Sequence, residues 1–369
     1  MSLDIGIIGL PDSGRTTIFN ALTGGEATTG GYTREGSSAP HIGTAQVPDS
    51  RLKVLTDIFH PARVVPASVT YIDIGASIKD VAEGKGISGQ LLNQIANLDV
   101  LINVVRAFSD ESIPHTEGSL DVDRDITNMN LELTFSDLAL LERRLSRIEA
   151  SLKAAKPAER PPLLREQELI ERVKADLEND VPVRDMTLTD EETRALSGYQ
   201  LLSAKPLLIV VNIGEDQLAQ AESLAGELST RYSRAKCQAS SVCGELEMEL
   251  SQLDDMAAEE LRSEYRMDES GGNRVIRLSY DLLGLISFFT VGSDEVKAWS
   301  IQSGTEAVKA AGKIHSDIER GFIRAEVIGY DDMVKSGSLA EARKKGLLRL
   351  EGKNYTVRDG DVITFLFNV

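Results

Sequence analysis

Cysteine is nearly absent from this chain, with only Cys237 and Cys243 among 369 residues. Two thiols cannot staple a chain of this length, and their C-x5-C spacing is not a usual zinc pattern, so they read as reduced thiols. Histidine is as scarce. His41, His60, His115 and His315 are scattered with no H-E-x-x-H pair, which argues against a histidine-ligated metal. No apolar run approaches the ~20 residues that cross a bilayer, and the N-terminus shows no basic-then-apolar leader. The expected compartment is therefore cytoplasmic, with no membrane partner. Positive charge is also in deficit: 40 Lys and Arg face 58 Asp and Glu, a net charge of −18. That balance argues against sequence-specific DNA binding and indiscriminate nucleic-acid binding, although a local basic patch could still touch RNA. Hydrophobic residues at 41% and charged residues at 27% suit a folded chain long enough for two or three cores.

The most informative stretch is DIGIIGLPDSGRTTIFNAL, residues 4–22. A short apolar strand, a glycine-bounded loop and a helix start follow one another, the context a phosphate-binding loop requires. Gly9 and Gly14 would let the loop curl so that the backbone N–H groups of Asp12, Ser13, Gly14, Arg15, Thr16 and Thr17 face one concavity. The positive end of the helix dipole lies beneath it. Thr16 would offer its hydroxyl to the magnesium ion that accompanies a nucleotide. The motif G-x-x-x-x-G-K-[ST] has lysine where this chain has Arg15. A broad, planar guanidinium keeps the charge but not the shape of an ammonium, which points to binding more than to catalysis.

Residues 24–43 are rich in Gly, Ser and Thr and read as a loop, in which Ser37 or Ser38 could reach the same magnesium. A plain surface loop is the alternative. Residues 69–73 look like a core strand ending in Asp73, a carboxylate at the carboxyl end of a strand, where the metal would sit. The usual continuation D-x-x-G is shifted here, because Asp73-Ile74-Gly75-Ala76 puts the glycine one position early. A flexible stretch at 84–89 leads into a helix expected over 90–97. Residues 100–105 form a third buried strand, so the sheet is expected to be mostly parallel and covered on both faces.

The character changes over residues 128–202. Leu138, Leu141, Leu145, Ile148 and Leu152 are spaced 3-4-3-4, the stripe of a coiled coil. Prolines at 157, 161 and 162 break it, and Leu163, Ile170, Val173 and Leu177 resume a similar stripe, predicting an antiparallel helical hairpin. Thr189 and Glu192 form a capping box for a further helix through Leu201. Residues 206–211 return to buried-strand composition and end in Asn212-Ile213-Gly214-Glu215, where N-K-x-D would read guanine. Glu215 replaces that aspartate, which favours adenine. A last strand is expected over 236–239, with 240–243 as the loop beyond the base. From about residue 280 the pattern of strands, one short helix at 305–315 and a terminal hairpin around 358–361 suggests a β-grasp module.

These pieces, in this order, resemble the YchF / Obg-like ATPase family of translation-factor-class P-loop NTPases. The resemblance covers nearly the whole chain. It is carried by GLPDSGRTTIFNAL, VVRAFSDESIPHTEG (104–118), LLSAKPLLIVVNIGE (201–215) and LLGLISFFTVGSDEVKAW (282–299). AAGKIHSDIERGFIRAEVI (310–328) and the terminal DGDVITFLFNV resemble the family's TGS domain. The resemblance implies an α/β chain: a Ras-like P-loop domain over 1–127 and 203–280, a helical insertion over 128–202 and a TGS domain over 281–369. It further implies ATP preferred over GTP, slow hydrolysis and ribosome association. Asn212, Ile213 and Glu215 would read the base, and Thr16, Ser37 and Asp73 would serve magnesium. Two loop positions depart from the family: Arg15 stands for lysine and Asp12 for asparagine. Asp12 should repel phosphates by about 1 kcal/mol. Weakened hydrolysis is the expectation, with a non-catalytic interaction protein as the alternative.

Overall fold

β1 (Asp4–Gly9) carries Ile5, Ile7 and Ile8, all buried, so the strand is apolar on both faces and must be covered on both. The structure, a computed structural model, describes residues 3–25, 27, 40–74, 94–113, 115, 118–265, 267 and 269–368. β1 pairs in parallel with β4 (Ser68–Asp73) on one side and with β5 (Val100–Arg106) on the other. β6 (Leu207–Asn212) and β7 (Cys237–Val242) continue the parallel series. With β2 (His41–Gln46) the sheet runs β2-β4-β1-β5-β6-β7. Every residue of β5 and of β6 is buried, the signature of central parallel strands. Residues 75–93 fall outside the described residues, so neither Gly75 nor the 84–89 stretch is placed, and the helix expected over 90–97 is described only from 94.

β7 runs three residues further than expected, through Ser240, Ser241 and Val242. Ser240 and Ser241 lie within the strand, opposite Val210 and Val211 of β6, rather than in a loop. Both are fully buried, and their polarity is absorbed locally. Ser241 Oγ donates to the Ala221 carbonyl at 2.8 Å, and Ser240 Oγ accepts from Arg274 Nε at 2.9 Å. Satisfied hydroxyls cost a strand little, although they break its apolar pattern.

The long helix Val122–Ala154 starts with Asp121 accepting from the Arg124 N–H at 3.0 Å. Its first turns bury Ile126, Met129 and Leu133 in the core of the parallel sheet. Further along, Leu141 and Ile148 pack on Ile170, Val173 and Leu177 of the helix Arg160–Glu178. Arg144 Nε and Nη2 grip the Glu166 carboxylate at 2.8 Å each, and Lys174 meets Glu142 at 3.1 Å. These pairings set the two helices antiparallel. Only Pro157 lies in the connection; Pro161 and Pro162 sit in the first turn of the second helix, where a missing N–H costs nothing. Thr189 and Glu192 form the expected capping box, but that helix ends at Ser197. The chain then tucks in, with the N–H groups of Leu202 and Ser203 both donating to buried Asp137 at 2.8 Å.

The chain divides into two compact units, residues 1–43 with 70–275, and residues 44–69 with 276–369. Residues 44–69 and 276–280, assigned above to the nucleotide-binding domain, thus group with the C-terminal portion. The reason is β3 (Arg63–Val65), which adds in parallel to β9 (Glu295–Gln302). β8 (Leu285–Val291), β10 (Phe322–Gly329), β11 (Arg349–Glu351) and β12 (Asp361–Phe367) complete a mixed sheet in the order β11-β10-β12-β8-β9-β3. The helix Ala307–Ile314 lays Ala307, Ala310 and Ala311 against Phe288, Val327 and Ile363. The expected terminal hairpin does not form. β12 pairs with β10 and β8, while Thr356 makes a single bridge to Glu306. Buried Asp361 holds this turn, its Oδ2 accepting from the Arg358 N–H and the Tyr355 hydroxyl.

The arm's stability should rest on its buried stripe. Leu141→Ala is expected to cost about 2–5 kcal/mol in chemical denaturation. Phe135→Ser, at a position 57% exposed on the same helix, should cost well under about 1 kcal/mol.

Candidate nucleotide-binding site

The loop after β1 has the curl the sequence predicts. Ser13 N–H returns to the Leu10 carbonyl at 3.3 Å, and Ile18 N–H closes on the Gly14 carbonyl at 2.9 Å. Asp12 sits at φ 59 and Gly14 at φ 85, two left-handed turns that bend the chain into the helix Arg15–Thr23. That helix has no side-chain cap and no acidic residue in its first turn. Its first N–H groups are therefore available to an anion, with the dipole in support.

Asn212, at the end of β6, organises the loop from beneath. Its Nδ2 donates to the Ser13 carbonyl at 3.1 Å, and its Oδ1 accepts from the Gly244 N–H at 3.0 Å. Its own carbonyl takes the N–H groups of Ala107 and Phe108, at 2.8 and 3.1 Å. A Cβ on Gly14 would lie 2.2 Å from Asn212 Nδ2, so glycine is required there for space as well as for φ. The amide expected to face a base thus also braces the protein, with one Nδ2 donor and one Oδ1 acceptor position engaged. Ile213 is buried and donates its N–H to the Val242 carbonyl at 2.9 Å. Glu215 is exposed and sits close enough to Tyr265 and Cys243 to push both of their pKa values up; burial is the larger cause for Cys243. Phe108 is a residue the sequence did not flag. It stands beside Gly14 with the Arg106 guanidinium 4.5 Å over its ring.

On the phosphate side, Thr16 Oγ1 donates to Asp73 Oδ2 at 2.8 Å. Asp73 is completely buried, and its Oδ1 has no hydrogen-bond partner among the described residues. An orphaned carboxylate oxygen beside a threonine hydroxyl is an all-oxygen donor set that suits a small hard cation, so Thr16 and Asp73 fit magnesium. Ser37 lies outside the described residues. Arg15 Nη1 donates to the Ile74 carbonyl at 2.6 Å. Burial pulls the Arg15 pKa down, against Asp73 and Asp12, which both push it up.

A family model described as a 50S ribosome-binding GTPase matches residues 4–136, and a YchF-GTPase C-terminal model, described as of unknown function, matches 285–368. The ribosome-binding ATPase YchF of Bacillus subtilis is 38% identical over 371 residues, covering 100% of both chains. That of Pasteurella multocida is 37% identical, again over 100% of both. The chain belongs to the YchF family. A solved relative, the Schizosaccharomyces pombe YchF GTPase, superposes with a TM-score of 0.84 at 28% identity, over 99% of this chain and 98% of that one. The fold of a YchF-family P-loop NTPase, with its nucleotide-binding loop, therefore applies throughout the chain. Among the described residues no helix is long and apolar enough to cross a membrane.

For this YchF-family chain the Asn212 clamp can be tested directly. Asn212→Ala strands the Gly244 N–H and the Ser13 carbonyl, and is expected to destabilise the first unit by about 2–4 kcal/mol in urea titration. A change below about 0.5 kcal/mol would mean that the loop holds its shape unaided.

Proposed function

We propose that the chain is an ATP-binding, slowly hydrolysing switch that works on the ribosome, and therefore in the cytoplasm. The observation that carries this reading is the pairing of an uncapped helix N-terminus with Thr16 and an orphaned Asp73 oxygen. Backbone N–H groups over residues 12–17 would bind the phosphates, while Thr16 and Asp73, joined by Ser37, would hold magnesium. When bound, magnesium would supply charge neutralisation between the phosphates. Glu215 in place of an aspartate, with Ile213 beside it, favours adenine over guanine.

Slow turnover is supported by Arg15 and Asp12. The Arg15 guanidinium already spends one of its donors on the Ile74 carbonyl at 2.6 Å, an anchor that limits how far its charge can follow a γ-phosphate. Asp12 adds a negative charge on the same loop. Both features equally suit the second reading, a nucleotide-binding protein that has lost hydrolysis and serves as an interaction partner. The ribosomal partner is inferred from relatives named ribosome-binding ATPases and from the matching family model. The helical arm and the C-terminal TGS-like portion would be the parts that read it.

Calorimetric titration of ATP, ADP and GTP, each with magnesium, should give micromolar binding of ATP and ADP. GTP bound tenfold more tightly than ATP would overturn the base assignment, and silence for all three would remove the nucleotide reading. Arg15→Lys should raise ATP turnover, measured by phosphate release with and without ribosomes, by more than about 100-fold if the native enzyme is attenuated. Unchanged turnover would shift the defect to Asp12 or to the early glycine of the sequence Asp73-Ile74-Gly75-Ala76.

A further inference from the structure

Beneath the phosphate loop lies a small cavity lined by Leu10, Ser13, Asn103, Arg106, His115 and Asp125 among others. It leaves about 10 Å³ for the centre of a water-sized sphere, room for one molecule. Its polar lining is unsatisfied to an unusual degree. Ser13 Oγ, Asn103 Nδ2 and Arg106 Nη1 are all buried, and none has a hydrogen-bond partner among the described residues. The three side chains are 2%, 1% and 4% exposed. The other Arg106 nitrogens are engaged, Nε with the Phe108 carbonyl and Nη2 with those of Asp110 and Ile113. Asp125 Oδ2 lies 2.9 Å from His115 Nε2, and Asp125 Oδ1 accepts from Arg124 Nε at 3.0 Å.

We propose that this cavity holds one buried water molecule, accepting from Arg106 Nη1 and Asn103 Nδ2 and donating to Ser13 Oγ and Asp125 Oδ2. The lining decides what the ligand is. A cation would face the guanidinium and an anion would face the carboxylate, whereas water donates and accepts at once and carries no charge. The small volume suits one water-sized molecule. Leaving three buried polar atoms unpaired around one void is the arrangement that native proteins avoid.

The four partners come from three places. Ser13 belongs to the phosphate loop, Asn103 and Arg106 to β5, and Asp125 to the first turn of the long arm helix. The water therefore ties the underside of the loop to the root of the arm, and a shift of Ser13 displaces a molecule that Asp125 also holds. This inference stands apart from the nucleotide reading, because none of its tests adds a nucleotide.

A crystal structure of the full chain at a resolution that shows ordered water should place one within hydrogen-bonding distance of Ser13 Oγ, Asn103 Nδ2 and Arg106 Nη1. A cavity filled by a side chain, or those three atoms bonded directly to protein, would overturn the proposal. Asn103→Leu separates a wet cavity from a dry one by sign. In a dry cavity it removes an unsatisfied donor and Tm rises. In a wet one it expels the water, strands Arg106, and Tm falls by at least about 3 °C. Hydrogen exchange on the ligand-free variant should then quicken together over residues 10–15 and 122–126. Quickening confined to β5 would refute the link, and the crystal structure of the unaltered chain decides the water site even if the variant fails to fold.

Discussion

The structure of the site depends on one side-chain amide. Asn212 is 4% exposed, yet it joins the phosphate loop through the Ser13 carbonyl and the turn after β7 through the Gly244 N–H. Only a group that donates and accepts from adjacent atoms can make both bonds, and an aspartate in its place would repel the Ser13 carbonyl. The loop then needs no ligand to hold its curl. The neighbouring glycines follow from the same amide, since a Cβ on Gly14 would lie 2.2 Å from Asn212 Nδ2 and one on Gly244 3.0 Å from its Oδ1. Asn212 and Gly14, which look independent in the sequence, are one packing constraint, while Gly244 is required as much by Ile18 Cδ1, 2.8 Å from a Cβ there.

The charges on the phosphate face are arranged around Asp73. Its carboxylate has lost all solvent and, among the described residues, keeps one hydrogen bond, from Thr16, so its position demands positive charge nearby. Arg15 supplies some of it from within the chain while its guanidinium is anchored on the Ile74 carbonyl. A lysine would reach its target with three rotatable donors and no planar fork, and would be freer to leave such an anchor. The arginine is accordingly better suited to bracing the loop against the strand end at Ile74 than to following phosphate charge through a reaction. That difference connects one substitution in the loop to the slow turnover proposed.

Much of this was legible in the chain. The apolar run of β1, the glycines around the loop and the strand ending in Asp73 each carried a local physical signal, and each lies where that signal indicated. The 3-4-3-4 leucines marked the arm because a helix presents such a stripe on one face, and Leu141 and Ile148 are fully buried there. The remainder was hidden for identifiable reasons. Ser240 and Ser241 read as loop because their hydroxyls are satisfied by Ala221 and Arg274, far away in sequence. β3 is three residues long and acquires meaning only from its partner β9, more than two hundred residues on. The motif at Asn212 points to a base, whereas its two tertiary bonds have no sequence signature.

The net charge of −18 bears on the proposed ribosomal partner, whose RNA is itself a polyanion. An acidic chain can approach such a surface only if its positive charge is gathered where contact is made, because repulsion between charges further apart than about 8 Å is largely screened at physiological salt. The C-terminal portion meets that condition. Between residues 335 and 358 the chain carries seven basic side chains, from Lys335 to Arg358, against Glu341 and Glu351. Arg343, Lys344, Lys345, Arg349 and Lys353 are all exposed. The arm carries a matching run, Arg143, Arg144, Arg147, Lys153, Lys156, Arg160 and Arg165 against Glu149 and Glu159, so the same imbalance that disfavours indiscriminate binding leaves two basic stretches where contact with RNA is least opposed.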